Sequence, residues 1–276
     1  MAQPVQRDTR GILHPERGLQ RFKLSRYAPS TAVARFVDRY WLASWQLPPG
    51  ESHEQEVLVH PVVNLVFDAE RATVSGVWRR RFTRKLEGYG RVLGVMFRPG
   101  GFRPFLGRPV STITDSMLPL AAVLPGGAEL ERGVTHALAG GASDEELVAV
   151  IDGSLAAQVP LEPQPSERTT AWADQAARDR DVCRVGDLAA LAGVSVRQLE
   201  RSFADHIGVP PKWVIRRYRL YEIAERAARA EVNDWARLAA ELAYADQSHL
   251  VRDFAATVGE SPERYARAAR AAIARY

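Results

Sequence analysis

A single cysteine, Cys183, stands in the 276 residues, so the chain can form no internal disulfide and has no second thiol for a zinc knuckle. No stretch approaches eighteen uninterrupted apolar residues, and the opening MAQPVQRDTRGILHPERG holds no apolar core of signal-peptide length. These absences argue against secretion and against membrane spanning, and they fit a reducing cytoplasm. The histidines include no H-x-H followed by a glutamate at metal-site distance. His53 and His60, with Glu51, Glu54 and Glu56 nearby, are therefore expected to hold no metal, and no cofactor is expected. Wholesale disorder is excluded as well, because 46% apolar and 25% charged residues are ordinary globular values.

What is present is length enough for two domains, each with its own core. A formal charge of +4 and a pI of about 9.4 lean basic, but the distribution says more than the total. Residues 197–219 carry Arg197, Arg201, Lys212, Arg216, Arg217 and Arg219 against Glu200 and Asp205. A second basic run, residues 71–108, has Glu87 as its only acid; outward strand and turn residues explain it, and an anionic effector is the alternative.

Between residues 56 and 97 the apolar residues come in short β-rich runs, VLVHPVVNLVF, TVSGVW and RVLGVMF, broken by glycine and charge. Residues 30–40 could form a short entry helix capped by Ser30. Helical writing begins near residue 128, with one candidate over 129–139 and a capping box at Ser143-Asp144-Glu145-Glu146. The expected organisation is a tail over 1–21, a β-rich domain over 22–125, a helical annex over 126–157, a proline-bearing linker over 158–168 and a helical domain over 169–276. Cys183 is placed on the first helix of that last domain, as an incidental thiol. Trp41, Trp45, Phe67 and Trp78 are core aromatics on the plain reading, and they are also the candidates for lining an effector cavity.

The helical domain contains an internal repeat. Leu199, Phe203, Gly208 and Pro211 recur fifty-one residues later as Leu250, Phe254, Gly259 and Pro262, and Leu188-Ala189-Ala190 recurs fifty later as Leu238-Ala239-Ala240. The second copy thus has one extra residue in its turn. Each copy lays out a small-residue helix, a turn, and a second helix opened by a cap, Ser195 or Asp246. Leu199 with Phe203, and Leu250 with Phe254, lie four apart and share the buried face. That leaves Arg197, Gln198, Glu200 and Arg201 outward in the first unit, and Gln247, Ser248, His249 and Arg252 in the second. Arginine suits guanine, glutamine adenine, and Glu200 can accept from cytosine, each worth roughly 1 to 3 kcal/mol of discrimination. Ser195, Lys212, Arg216, Arg217 and Arg219 are the candidates for phosphate contact, with solvated surface charge as their plain alternative. Pro211 can open a helix that runs uninterrupted to Asn233, about 30 Å, which is the order of the 34 Å between adjacent major-groove segments. Its stripes, Val214-Tyr218-Tyr221-Ala224-Ala228 and Leu220-Ile223-Ala227, allow it to pack on both units.

These residues resemble the double helix-turn-helix domain of AraC/XylS-type transcription regulators. The likeness rests on LAALAGVSVRQLERSFADHIGVPPKWV, RRYRLYEIA and LAAELAYADQSHLVRDFAATVGESPERY, with F-x4-G-x-x-P closing each unit. It departs at Ala243 and Tyr244, where a glycine and an aromatic are common. The first half is similar, through HPVVNLVFD, RVLGVMFRPGGFRPFLG and TITDSMLPL, to the cupin-like domain of a subgroup of these regulators. The resemblance implies an α+β two-domain protein, with a mainly β cupin-like barrel and its annex ahead of two helix-turn-helix units joined by a long helix. It further implies double-stranded DNA and RNA polymerase as partners, a small-molecule effector or a homodimer acting through the first domain, and no enzymatic activity. A cupin-type metal enzyme with a helical appendage and a ligand- or protein-binding module are the competing classes.

Overall fold

The structure is a computed structural model and describes residues 11–229, 231–232 and 234–273. The first ten residues of the expected tail and the expected helix stop at Asn233 lie outside the described residues. Strands β1 (Lys23–Tyr27), β2 (Val37–Gln46), β4 (Asn64–Phe67), β5 (Ala72–Ser75), β7 (Tyr89–Phe97) and β8 (Met117–Pro119) form one antiparallel sheet in the order β1-β2-β7-β4-β5-β8. Strands β3 (Ser52–Val57) and β6 (Phe82–Glu87) pair with each other in a second sheet. Alternation puts Tyr40, Leu42, Leu65, Phe67, Leu93 and Val95 on one face, all buried in a common core. Among the described residues the strands do not close into the expected cupin-like barrel. The chain turns between β6 and β7 at Gly88, φ +54, and so leaves one sheet for the other, while β1 and β8 stay unjoined at the edges.

The expected entry helix over residues 30–40 is instead a run of turns that passes into β2 at Val37. Val37, Tyr40 and Trp41 fit a pleated, half-buried surface, and pairing with β7 decides the outcome. Short helices α1 (Pro15–Gly18) and α2 (Arg103–Leu106) flank the sheets, and α3 (Gly127–Ala139) and α4 (Asp144–Ala156) follow. The Ser143 capping box forms as expected, with Glu146 donating its N–H to the serine hydroxyl at 3.2 Å. Leu130, Val134, Leu147, Ile151 and Leu155 enter the same core as the strands, so the two helices cover the sheet rather than hang from it.

Helices α5 (Pro165–Arg178), α6 (Val185–Ala192), α7 (Val196–His206), α8 (Pro211–Ala228), α9 (Trp235–Glu241), α10 (Gln247–Val258) and α11 (Pro262–Ile273) make the C-terminal region. Ahead of α5 the proline-bearing segment is strapped down by Arg35, which donates to the Pro160 and Glu162 carbonyls and pairs with Glu167 at 2.6 Å. Helix α8 serves two cores. Val214 and Ile215 join Leu188, Leu199 and Phe203, whereas Leu220, Tyr221, Ile223, Ala224 and Ala227 join Leu238, Leu250 and Phe254. Each core also takes residues from the β region: Val77 enters the first, Leu13 and Leu58 the second. No helix among the described residues is long and apolar enough to cross a membrane.

Candidate nucleic-acid interface

Two short-helix, turn, long-helix units, α6–α7 and α9–α10, carry the candidate reading residues. In the first turn Gly193 takes φ +65, and the N–H groups of Gly193 and Val194 reach back to the carbonyls of Ala190 and Ala189. The second turn repeats this fifty residues on, with Ala243 at φ +52 and N–H groups of Ala243 and Tyr244 donating to Ala240 and Ala239. Ala243 therefore occupies the left-handed position that a glycine holds in the first unit. The extra residue of the second copy is Ala245, between that turn and the Asp246 cap.

Each recognition helix opens on a working cap. The Ser195 hydroxyl accepts from the Gln198 N–H at 3.2 Å, and the Asp246 carboxylate accepts from the His249 N–H at 2.7 Å. Leu199 and Phe203 of α7, and Leu250 and Phe254 of α10, are sealed in the cores. Arg197, Gln198, Glu200 and Arg201, and Gln247, Ser248, His249 and Arg252, all remain exposed. His249 also leans edge-on against Tyr244, with ring centroids 5.2 Å apart.

Between the units lies a cleft of about 680 Å³ floored by α8. Arg184 lines it from the first unit, Lys212, Arg216 and Arg219 from α8, and His249 and Arg252 from the second unit. Asp253 is the one acid among the lining residues, and it is spent: Arg216 pairs with it and the Tyr244 hydroxyl donates to it at 2.8 Å. The surplus of positive charge is a surface suited to phosphate. Arg184 and Asp253 do not stand out in the sequence, and Tyr244 stands out there only as a residue of the second turn. Arg184 sits just outside the repeat, and a tyrosine and an aspartate nine residues apart show no pairing until the turn brings them together.

The five phosphate candidates separate. Ser195, Lys212 and Arg216 are exposed, and Arg219 is half-buried while donating to the Cys183 carbonyl. Arg217 departs from the expectation. It is 4% exposed, packs over Trp213 at 4.5 Å, donates to the Arg79 carbonyl at 3.4 Å, and has its pKa lowered by burial. It is an internal residue because its face of α8 meets the N-terminal domain. Cys183 also lies elsewhere than expected, in the loop between α5 and α6, where its N–H donates to Asp187 at 3.0 Å.

The four aromatics proposed to line an effector cavity do not all share one face of the sheet. Phe67 is sealed in the sheet core. Trp41 and Trp45 lie on the other face of β2, over Gly94 and Gly90 of β7, where a Cβ would collide with either indole. Trp78 packs on Phe82 and donates to Ser75 at 2.9 Å. Much of the basic run over 71–108 is likewise occupied by acids: Arg79–Asp115, Arg81–Glu56, Lys85–Glu87, Arg91–Asp144, Arg98–Asp174 and Arg103–Asp205 are ion pairs. His60 stacks on Tyr221 of α8 at 4.5 Å, and among the described residues no cluster of three or more His, Cys, Asp or Glu side chains could hold a metal.

Residues 188–268 match the family model described as a helix-turn-helix domain, and residues 25–119 match one described as a domain of unknown function (DUF6597). No curated protein matches the chain. Among solved structures, ToxT from Vibrio cholerae is similar at 11% identity and a TM-score of 0.44, over 83% of this chain and 98% of that one. ToxT from Vibrio cholerae O395 bound to (E)-4-(8-methylnaphthalen-1-yl)but-3-enoic acid is similar at 11% identity and a TM-score of 0.40, over 83% and 99%. The helix-turn-helix match spans the whole repeat and both outward-facing helices, α7 and α10, so residues 188–268 form a helix-turn-helix domain.

Proposed function

We propose that the chain is a DNA-binding transcription regulator of the AraC type that reads a bipartite DNA site in the cytoplasm, with Arg197, Gln198, Glu200 and Arg201 entering one major-groove segment and Gln247, Ser248, His249 and Arg252 the next. The observation that carries this reading is the exposure of all eight side chains at the free N-terminal ends of α7 and α10. The cationic cleft between the units then receives the intervening sugar-phosphate backbone, with Lys212, Arg219 and Arg184 as its contacts and Ser195 at the N-terminus of α7. Arg216 reaches phosphate only while it keeps Asp253 neutralised.

Control enters through the N-terminal domain, whose Val77, Leu13 and Leu58 sit in the cores of the two units. A small-molecule effector or a second copy of the chain acting on that domain reaches the reading helices through those contacts, and the bound regulator acts on RNA polymerase. We assign the chain no catalytic step. The test is a gel shift across a salt series, using a duplex selected from random DNA by the full-length chain. A selected duplex bound at least about a thousandfold more tightly than random DNA at physiological salt supports the reading; equal binding ends it.

A further inference from the structure

The N-terminal domain grips the same position of the repeat twice. Gly208 and Gly259 are equivalent residues that follow the two recognition helices, both with left-handed backbone, φ +97 and +95. At the first, the Thr114 hydroxyl donates to the Gly208 carbonyl at 2.7 Å, and a Cβ on Gly208 would stand 2.8 Å from Thr114 Oγ1 and 3.0 Å from Val110. At the second, Arg81 donates to the Val258 carbonyl at 3.3 Å, and its guanidinium fills the space that a Cβ on Gly259 would need. Arg81 also meets the negative end of the α10 dipole there. The left-handed backbone favours glycine at both places, and at Gly208 the close approach of Thr114 and Val110 adds to that demand.

Thr114 and Arg81 stand on two loops that are bonded to each other. The Gly76 N–H donates to the Ser116 carbonyl and the Asp115 N–H to the Val77 carbonyl, each at 3.0 Å. The Asp115 carboxylate takes the Arg79 N–H and Nε–H, both at 2.7 Å. Burial works against that carboxylate, but the Arg79 bonds outweigh it and lower its pKa. Val77 of this loop pair is sealed in the first unit's core, the Arg79 carbonyl accepts from Arg217 of α8, and Glu56 steadies Arg81 at 2.9 Å. Arg103 adds a bond to Asp205 near the end of α7, at 2.9 Å.

Helix α8 is one tie between the two units, through its residues in both cores, and the loop pair is a second, at the ends of α7 and α10. We propose that the loop pair over residues 76–81 and 110–116 sets the separation and angle of α7 and α10, and so selects the spacing between half-sites, with Arg81 and Thr114 as positioning residues for DNA recognition. The docking is at the C-terminal ends of both helices, so it constrains their aim without covering the residues that read. Inserting one base pair between half-sites moves the second by about 3.4 Å and turns it by about 34°, which a rigid reader rejects and a hinged one accepts. This inference rests on the proposed bipartite reading.

The experiment uses the full-length chain and a duplex it selects from random DNA, re-synthesised with zero, one or two base pairs added between the half-sites, together with a duplex holding one half-site. The wild type is expected to lose about tenfold or more in Kd per added base pair, a change of about 1.4 kcal/mol for each tenfold. Arg81→Ala and Thr114→Val should keep single half-site binding within about twofold and flatten the spacing series to within about threefold, whereas Thr114→Ser, which retains the hydroxyl, should keep the wild-type preference. Unchanged preference in both variants overturns the inference, as does tighter binding to the original duplex, which would make the docking a brake. Equal loss on every duplex, single half-site included, also overturns it, and thermal melting of Arg81→Lys alongside Arg81→Ala identifies misfolding as the cause. If the wild type prefers no selected duplex over random DNA, the bipartite reading itself fails.

Discussion

Ala243 and Gly193 occupy equivalent turns with φ +52 and +65, yet only the glycine is free of Cβ strain. Ala243→Gly should stabilise the chain by up to about 1 kcal/mol, seen as a rise of roughly 2 to 4 °C in Tm. The gain is limited by the greater freedom of glycine in the unfolded chain. The sequence showed the departure from glycine but not its cost, since φ is set by the two N–H groups that close the turn. Arg201→Ala and Arg252→Ala should each lose roughly 1 to 3 kcal/mol on the selected duplex and relax preference at opposite ends of it, as measured by binding to point-substituted duplexes. Equal losses on random DNA would make both phosphate contacts. Such exposed positions were legible because L-x3-F fixes which side of a helix is buried. Arg217 was not, since the face of α8 that carries it is covered by residues more than a hundred positions away.

At the scale of elements, capping decides where the recognition helices begin. Asp246→Ala should cost about 0.5 to 2 kcal/mol, fray the first turn of α10 and weaken footprinting over one half-site while sparing the other. The short α1 is tied to the far end of the second unit by His14, whose Nε2 lies 2.6 Å from Glu260 and whose ring packs on Tyr265 at 4.6 Å. Glu16, 3.4 Å from Nδ1, raises the His14 pKa against the pull of burial, and Glu260 adds to the rise. A raised histidine pKa means that the bound proton stabilises the fold fully below the ordinary value of 6.5 and less as pH climbs through the folded value. The Tm advantage of wild type over His14→Gln should therefore shrink as pH rises above the ordinary histidine value of 6.5; a growing advantage would count against the latch. No spacing in the sequence could have announced this contact, which joins residues nearly the whole chain apart.

The molecule as a whole is more fused than its two-part sequence suggests. Because Leu58 of the β region lies in the second unit's core, Leu58→Ala should cost about 2 to 5 kcal/mol and loosen α9 and α10 as well as the sheets, which hydrogen exchange would register. A loss confined to the β region would show the shared core to be idle. The amino-acid order alone determined the repeat, the caps, the sheet-then-helix succession and the outward faces of α7 and α10, because these follow from short-range periodicity and from side chains bonding to backbone three residues away. Tertiary structure alone decided that the described strands stay unclosed, that the sheet parts Phe67 from Trp41 and Trp45, that most of the basic run meets acids, and that one loop pair touches the ends of both reading helices. Those outcomes depend on surfaces meeting across a hundred or more residues, and no local pattern records which surfaces will meet.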